Sequence, residues 1–140
     1  MRIFWQDNMS LGLAQVDDEH KHMVALLDSV CLALQYRNLP AAALALDEFS
    51  GVLTRHFASE EGFLAQIFAI NADQHRQSHR DTADLVGRLR VAIGGAGDLP
   101  LAERLVAELV TEWIRRLFRE DNDLVAQLKG TGGPGLGPTE

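Results

Sequence analysis

His56 and Glu60 stand four residues apart, and so do His75 and His79. On a helix that step puts both members of a pair on one face. Imidazoles and a carboxylate placed together can ligate a cation, hold a proton, or hydrogen-bond within a core. Mixed nitrogen and oxygen donors suit iron, manganese or zinc. The single cysteine, Cys31, excludes an internal disulfide and any multi-thiolate zinc or iron–sulfur site. It sits on an apolar seam, as an inert small hydrophobe would. For any one histidine alone, the ordinary reading is a half-buried ring bonded to a backbone carbonyl.

The elements that carry these residues read as helices throughout, with no sustained period-2 alternation. A first helix starts near Asp17 or Asp18, ends before Pro40, and has the seam His20, Val24, Leu27, Cys31, Leu34. A second starts at or just after Pro40, with the seam Leu46, Phe49, Leu53, His56, Glu60, Phe63, Ile67. A turn with an Asn cap falls around 71–73, and a third helix carries His75, His79, Thr82, Val86, Leu89, Ile93. The fourth opens after Asp98 with Pro100 in its first turn, and carries Val106, Val110, Trp113, Leu117, Glu120, Leu124. Four such helices with short links make an all-α, antiparallel up-down-up-down four-helix bundle behind an extended N-terminal segment. Residues 1–129 form the bundle domain, and the Gly/Pro-rich stretch 130–140 is a flexible tail.

Folded this way, His20 opens its helix at the level where the second helix ends and the third begins. Four of the five histidines, with Glu60, therefore meet in one layer of the core. His22 lies off its seam, solvated or on the rim. A buried carboxylate without a partner costs several kcal/mol, and no lysine or arginine shares the seam of Glu60. A bound divalent or trivalent metal would offset that cost and engage the imidazole nitrogens.

Composition narrows the alternatives. The chain has 140 residues, 46% of them apolar, with 13 basic against 20 acidic side chains for a net charge of −7. One packed domain is expected, and neither nucleic acid nor an anionic membrane as partner. The longest apolar run, Ala41 to Leu46, is far short of the ~20 residues of a membrane span. Phe4-Trp5 gives way at once to Gln6-Asp7-Asn8, so no signal-peptide core is read there, and the expected location is cytoplasmic. Gly94-Gly95-Ala96-Gly97 follows a helix rather than a strand and is no phosphate loop.

Four stretches resemble motifs of the bacterial hemerythrins, the last of them only at its start. The run Trp5-Gln6-Asp7-Asn8-Met9-Ser10-Leu11-Gly12-Leu13-Ala14-Gln15-Val16-Asp17-Asp18-Glu19-His20-Lys21 is similar to their N-terminal signature. His56-Phe57-Ala58-Ser59-Glu60-Glu61 resembles H-F-x-x-E-E, and His75-Arg76-Gln77-Ser78-His79 resembles H-x-x-x-H. Trp113-Ile114 resembles the start of W-[LI]-x-x-H-I-x-x-x-D on the fourth helix. The resemblance spans roughly residues 4 to 128. It implies a non-haem di-iron centre binding dioxygen reversibly, with His20 and His56 on one iron, His75 and His79 on the other, and Glu60 bridging. Phe57, Trp113 and Leu117 would wall the ligand pocket, while Glu61 is left as a solvated charge.

The fourth helix departs from the family pattern. Leu117 stands where the ligand histidine is expected and Asn122 where the second bridging carboxylate is expected. Leucine cannot ligate, and a neutral amide oxygen is a poor bridge between cations. Glu120 or Asp121 could compensate if the helix shifts or tightens locally. The alternative is a solvated acidic end, Glu120, Asp121 and Asp123, balanced by Arg115, Arg116 and Arg119. Thr82 replaces an aromatic common after the second histidine of the third helix.

Three functions follow. The first is a non-haem iron protein, not an enzyme and with no catalytic residue, that binds or senses dioxygen, nitric oxide or peroxide at a di-iron site depleted on helix four. The second is a mononuclear iron or zinc site at His20, His56 and Glu60. The third is a metal-free bundle acting as a protein-interaction module.

Overall fold

A computed structural model describes residues 1–67, 72–95 and 97–121. Four helices follow one another: α1 (Ala14–Gln35), α2 (Leu39–Ile67), α3 (Ala72–Gly94) and α4 (Leu99–Arg116). Each packs on its neighbours in the chain, and α4 closes the ring against α1. No strand occurs among the described residues. The all-α four-helix bundle read from the seams is the architecture found. Of the turn expected around 71–73, residues 72 and 73 already belong to α3, while 71, Asn122, Leu124 and the tail from 130 lie outside the described residues.

The end opposite the histidines shows why the chain turns where it does. α1 closes with Arg37 in the left-handed region at φ 56°, its N–H donating to Leu34 O and that of Asn38 to Ala33 O. Those two bonds satisfy carbonyls the helix end would otherwise orphan. Asn38 then caps α2, accepting from Ala41 N at 3.1 Å, and Asp98 caps α4, accepting from Leu101 N at 3.1 Å. Both starts read Asx-Leu-Pro, a cap followed by proline in the first turn, where no N–H is needed. Gly97 takes φ 70°, and a Cβ there would sit 3.2 Å from Leu39 Cδ1, so the two tips are neighbours.

α1 begins earlier than expected, at Ala14 rather than Asp17. Asp17 turns outward to the preceding loop, accepting from Ser10 Oγ at 2.5 Å and Leu11 N at 2.8 Å. Burial pushes its carboxyl up, but those two bonds together with nearby positive charge, Lys21 included, outweigh it and the net shift is downward. Further upstream, Arg2 forks onto Asp28 at 2.8 and 2.7 Å, and Ile3 N donates to the same carboxylate. The N-terminal segment is thus tied along α1 with Ile3 and Met9 buried.

The core is filled by Met23, Leu27, Val30, Leu46, Phe49, Leu89, Leu105 and Leu109, all fully enclosed. Every described seam position of α1 and α3 is buried. α4 departs from its expected course: after Arg116 it widens into a π turn, Leu117–Asp121, instead of continuing as regular helix. A shift or local tightening was the condition for Glu120 or Asp121 to turn inward, and the backbone found there is a wider π turn. Single π turns inside helices recur at functional sites.

Candidate metal centre

His20, His56, Glu60, His75 and His79 are all buried, at 9% exposure or less. The helical period places them there, two pairs at i, i+4 plus one ring from α1. His20 and His56 meet edge to face with centroids 5.0 Å apart, and Trp113 of α4 stands edge-on to His20 at 6.0 Å. His22 is exposed, as its off-seam position predicts.

Glu60 is the hub. Its Oε2 lies 2.8 Å from His56 Nε2 and its Oε1 lies 2.9 Å from His79 Nε2. The carboxylate thus links an imidazole of its own helix to one of α3. The outer nitrogens are engaged as well: His56 Nδ1 meets Glu19 Oε1 of α1, and His79 Nδ1 lies 2.7 Å from Glu61 Oε2. Both nitrogens of both rings face carboxylate oxygens.

That arrangement has a chemical consequence. A neutral imidazole has one N–H and one lone pair. With Nδ1–H given to the outer carboxylate, Nε2 turns its lone pair toward an oxygen that, when ionised, also offers only lone pairs. With the rings in that tautomer, each inner contact needs a proton or a cation between its two atoms: a second ring proton, a carboxyl proton, or a metal cation. A proton on Glu60 could serve one contact but not both. Two donors at right angles on one cation, with bonds of about 2.1 Å, are themselves ~3.0 Å apart, close to the spacings found. An outer carboxylate behind a ligating histidine fixes its tautomer and raises its basicity, the usual support of a metal-bound imidazole. His75 Nδ1 adds a buried nitrogen with no hydrogen-bond partner among the described residues. The donors come as pairs sharing one carboxylate, and among the described residues no three His, Cys, Asp or Glu side chains form a ready-made cage.

The three residues expected to wall a ligand pocket all lie in the core. Phe57, Trp113 and Leu117 are buried, and Phe57 lies flat on His79 with centroids 3.9 Å apart and planes 5° from parallel. Thr82 is buried too.

Two expectations need correction. Glu61 is not merely a solvated charge, since its carboxylate takes the outer nitrogen of His79 while staying 39% exposed. It follows Phe57 by four residues and so shares that inward face. Arg116 is not one of three solvated cations: it is 4% exposed, with Nη2 3.7 Å from Glu60 Oε1 and its guanidinium carbon 4.6 Å from the Phe57 ring centre. Arg115 and Arg119 are exposed as expected. Glu19 had no expected role, and its only signal is its place beside His20. The side chains of Glu120 and Asp121, proposed as compensating ligands, lie outside the described residues, as does all of Asn122.

Comparison with known proteins agrees with this layout. The family model for the hemerythrin HHE cation binding domain matches residues 11–128. The chain is 24% identical over 120 residues to a bacteriohemerythrin of Pseudomonas aeruginosa, covering 86% of this chain and 76% of that one. A bacteriohemerythrin of Stenotrophomonas maltophilia is 21% identical over 124 residues, covering 89% and 79%. The matched segment contains all four helices and every histidine of the buried layer, and the chain belongs to the hemerythrin family of non-haem iron-binding proteins.

Proposed function

We propose that this chain holds non-haem iron in the His20, His56, Glu60, His75, His79 layer and offers it to a small diatomic ligand, dioxygen first, for binding or sensing. The observation that carries the reading is the double engagement of His56 and His79, each ring set between two carboxylates with Glu60 shared. Family membership and the names of the relatives support iron in particular.

Bound iron would supply an electron-rich centre with a position for the diatomic ligand. The chain's residues do the rest. Glu19 and Glu61 hold the outer N–H of His56 and His79, which leaves both inner nitrogens as donors. Glu60 contributes the negative charge that favours a cation over a proton. Phe57, Trp113 and Leu117 exclude water, which strengthens each electrostatic contact inside. The reading assigns no catalytic residue and keeps the cytoplasmic location expected from the sequence. No helix among the described residues is long and apolar enough to cross a membrane.

The test is anaerobic loading with ferrous iron, removal of excess, elemental analysis, and an optical spectrum before and after dioxygen or nitric oxide. Retained iron with a ligand-dependent near-ultraviolet band is expected. A chain that retains no iron overturns the proposal.

A further inference from the structure

We propose that the Arg116 guanidinium takes the place of a second metal ion, so that the chain holds one ion, on the His20–His56 side of Glu60. This rests on the metal-holding reading above. The two oxygens of Glu60 are not equivalent. Oε2 lies 2.8 Å from His56 Nε2, while Oε1 faces both His79 Nε2 at 2.9 Å and Arg116 Nη2 at 3.7 Å. The positive charge is thus delivered to one oxygen of the carboxylate and to one half of the histidine layer.

On α4 the next residue after Arg116, Leu117, is 1% exposed and brings only hydrocarbon to the layer. Arg116 is buried to 4% and lies over Phe57, the ring that stacks on His79. A guanidinium is charged at every pH the fold survives and cannot yield a lone pair to a metal. A second divalent ion on Oε1 would face that fixed charge a few ångströms away in a medium of low dielectric, where like charges repel strongly. The π turn beginning at Leu117 marks where α4 leaves its regular course, immediately after the arginine. A permanent cation on one oxygen and an exchangeable one on the other satisfies the carboxylate without crowding two metals beside an arginine.

Metal counting after anaerobic ferrous loading and, separately, after zinc loading tests this, with melting temperatures of the metal-free and loaded forms. The full chain is compared with Arg116→Met, Arg116→Lys, His20→Gln and His75→Gln. One ion per chain is expected, lost in His20→Gln and kept in His75→Gln. Arg116→Lys keeps one ion. Arg116→Met melts lower without metal, takes up a second, more weakly held ion, and regains its melting temperature when loaded. Two ions in the unaltered chain overturn this inference and leave the metal-holding reading intact. One ion lost in His75→Gln instead of His20→Gln overturns the assignment of sides. Arg116→Met remaining at one ion shows that the arginine is not what excludes the second. No metal in any form overturns the underlying reading, and this inference with it. If Arg116→Met does not fold, the two histidine variants decide between the sides.

Discussion

Glu19 of α1 takes the outer nitrogen of His56 across the helix interface, and so decides which nitrogen of that ring faces Glu60. A carboxylate in this position raises the basicity of the imidazole and holds its plane, effects typically worth 10–100-fold in metal affinity. Glu19→Gln should therefore weaken metal binding by about 10–100-fold while leaving the melting temperature of the metal-free protein nearly unchanged, because the side chain is 40% exposed. Competition against a chelator of known affinity measures it. Glu61→Gln makes the informative partner, since it acts on His79. Under a single ion on the His56 side, it should change affinity far less than Glu19→Gln.

The five inward residues of the centre were legible because a helix has one period: positions that follow a 3–4 step share a face, and a polar residue on an apolar face is conspicuous. The residues supporting them were harder to find for the same reason. Glu19 and Glu61 sit one position off the seam, where a charge is ordinarily solvated, and only the neighbouring helix shows that their carboxylates reach back to a ring. Arg116 was the larger miss. It follows Trp113 by three residues, the other step allowed on a helical face, but a long side chain can bury its head or snorkel outward from the same position. Periodicity places a Cβ, and the partner decides where the charge goes. In α4 the regular period also stops being a guide at Leu117, where the π turn begins.

Helix ends were readable where chemistry is local. Asp98 ahead of Leu99-Pro100 caps α4 as the sequence suggests, and Asp98→Ala should cost about 1 kcal/mol in urea unfolding. Arg37 was not readable, because nothing in its type announces a left-handed backbone. An L-residue there is strained by roughly 1–2 kcal/mol, partly offset by the greater chain entropy glycine would bring to the unfolded state. Arg37→Gly should raise stability by about 0.5–1 kcal/mol, seen as a higher urea midpoint with an unchanged slope. A loss of stability would show that the arginine side chain contributes more than its backbone costs.

Acid should act on the N-terminal tie. The hydrogen bonds from Arg2 hold the Asp28 carboxyl below its ordinary value of 3.8, against burial, with Ile3 N adding to the effect. A carboxyl depressed in the folded state contributes stability that is fully present above its unfolded pKa and is lost as the pH falls through the folded one. The tie should therefore hold near neutrality and release below about pH 4. Asp28→Asn should unfold with a flatter pH dependence in that range and show a proteolytically more accessible N-terminus at pH 7. Equal acid sensitivity in both proteins would place the loss elsewhere.

Alkali should act on Cys31. The thiol is 2% exposed, and burial, with the Asp28 charge adding to it, pushes its pKa from 9.0 to about 11. The thiolate is the reactive form, so at pH 8 a disulfide reagent should modify the native chain very slowly and the urea-unfolded chain rapidly. A raised pKa also has a sign in stability: below about 9 the thiol is protonated in both states and nothing is lost. Between about 9 and about 11 the unfolded chain sheds its proton while the folded chain keeps it, so stability falls with rising pH across that window. Cys31→Ala removes this one titration, and the difference between the two proteins' unfolding midpoints should therefore change from pH 8.5 to pH 10.5, with the unaltered chain losing ground. A constant difference across that range would mean that Cys31 ionises as readily folded as unfolded, which its burial argues against.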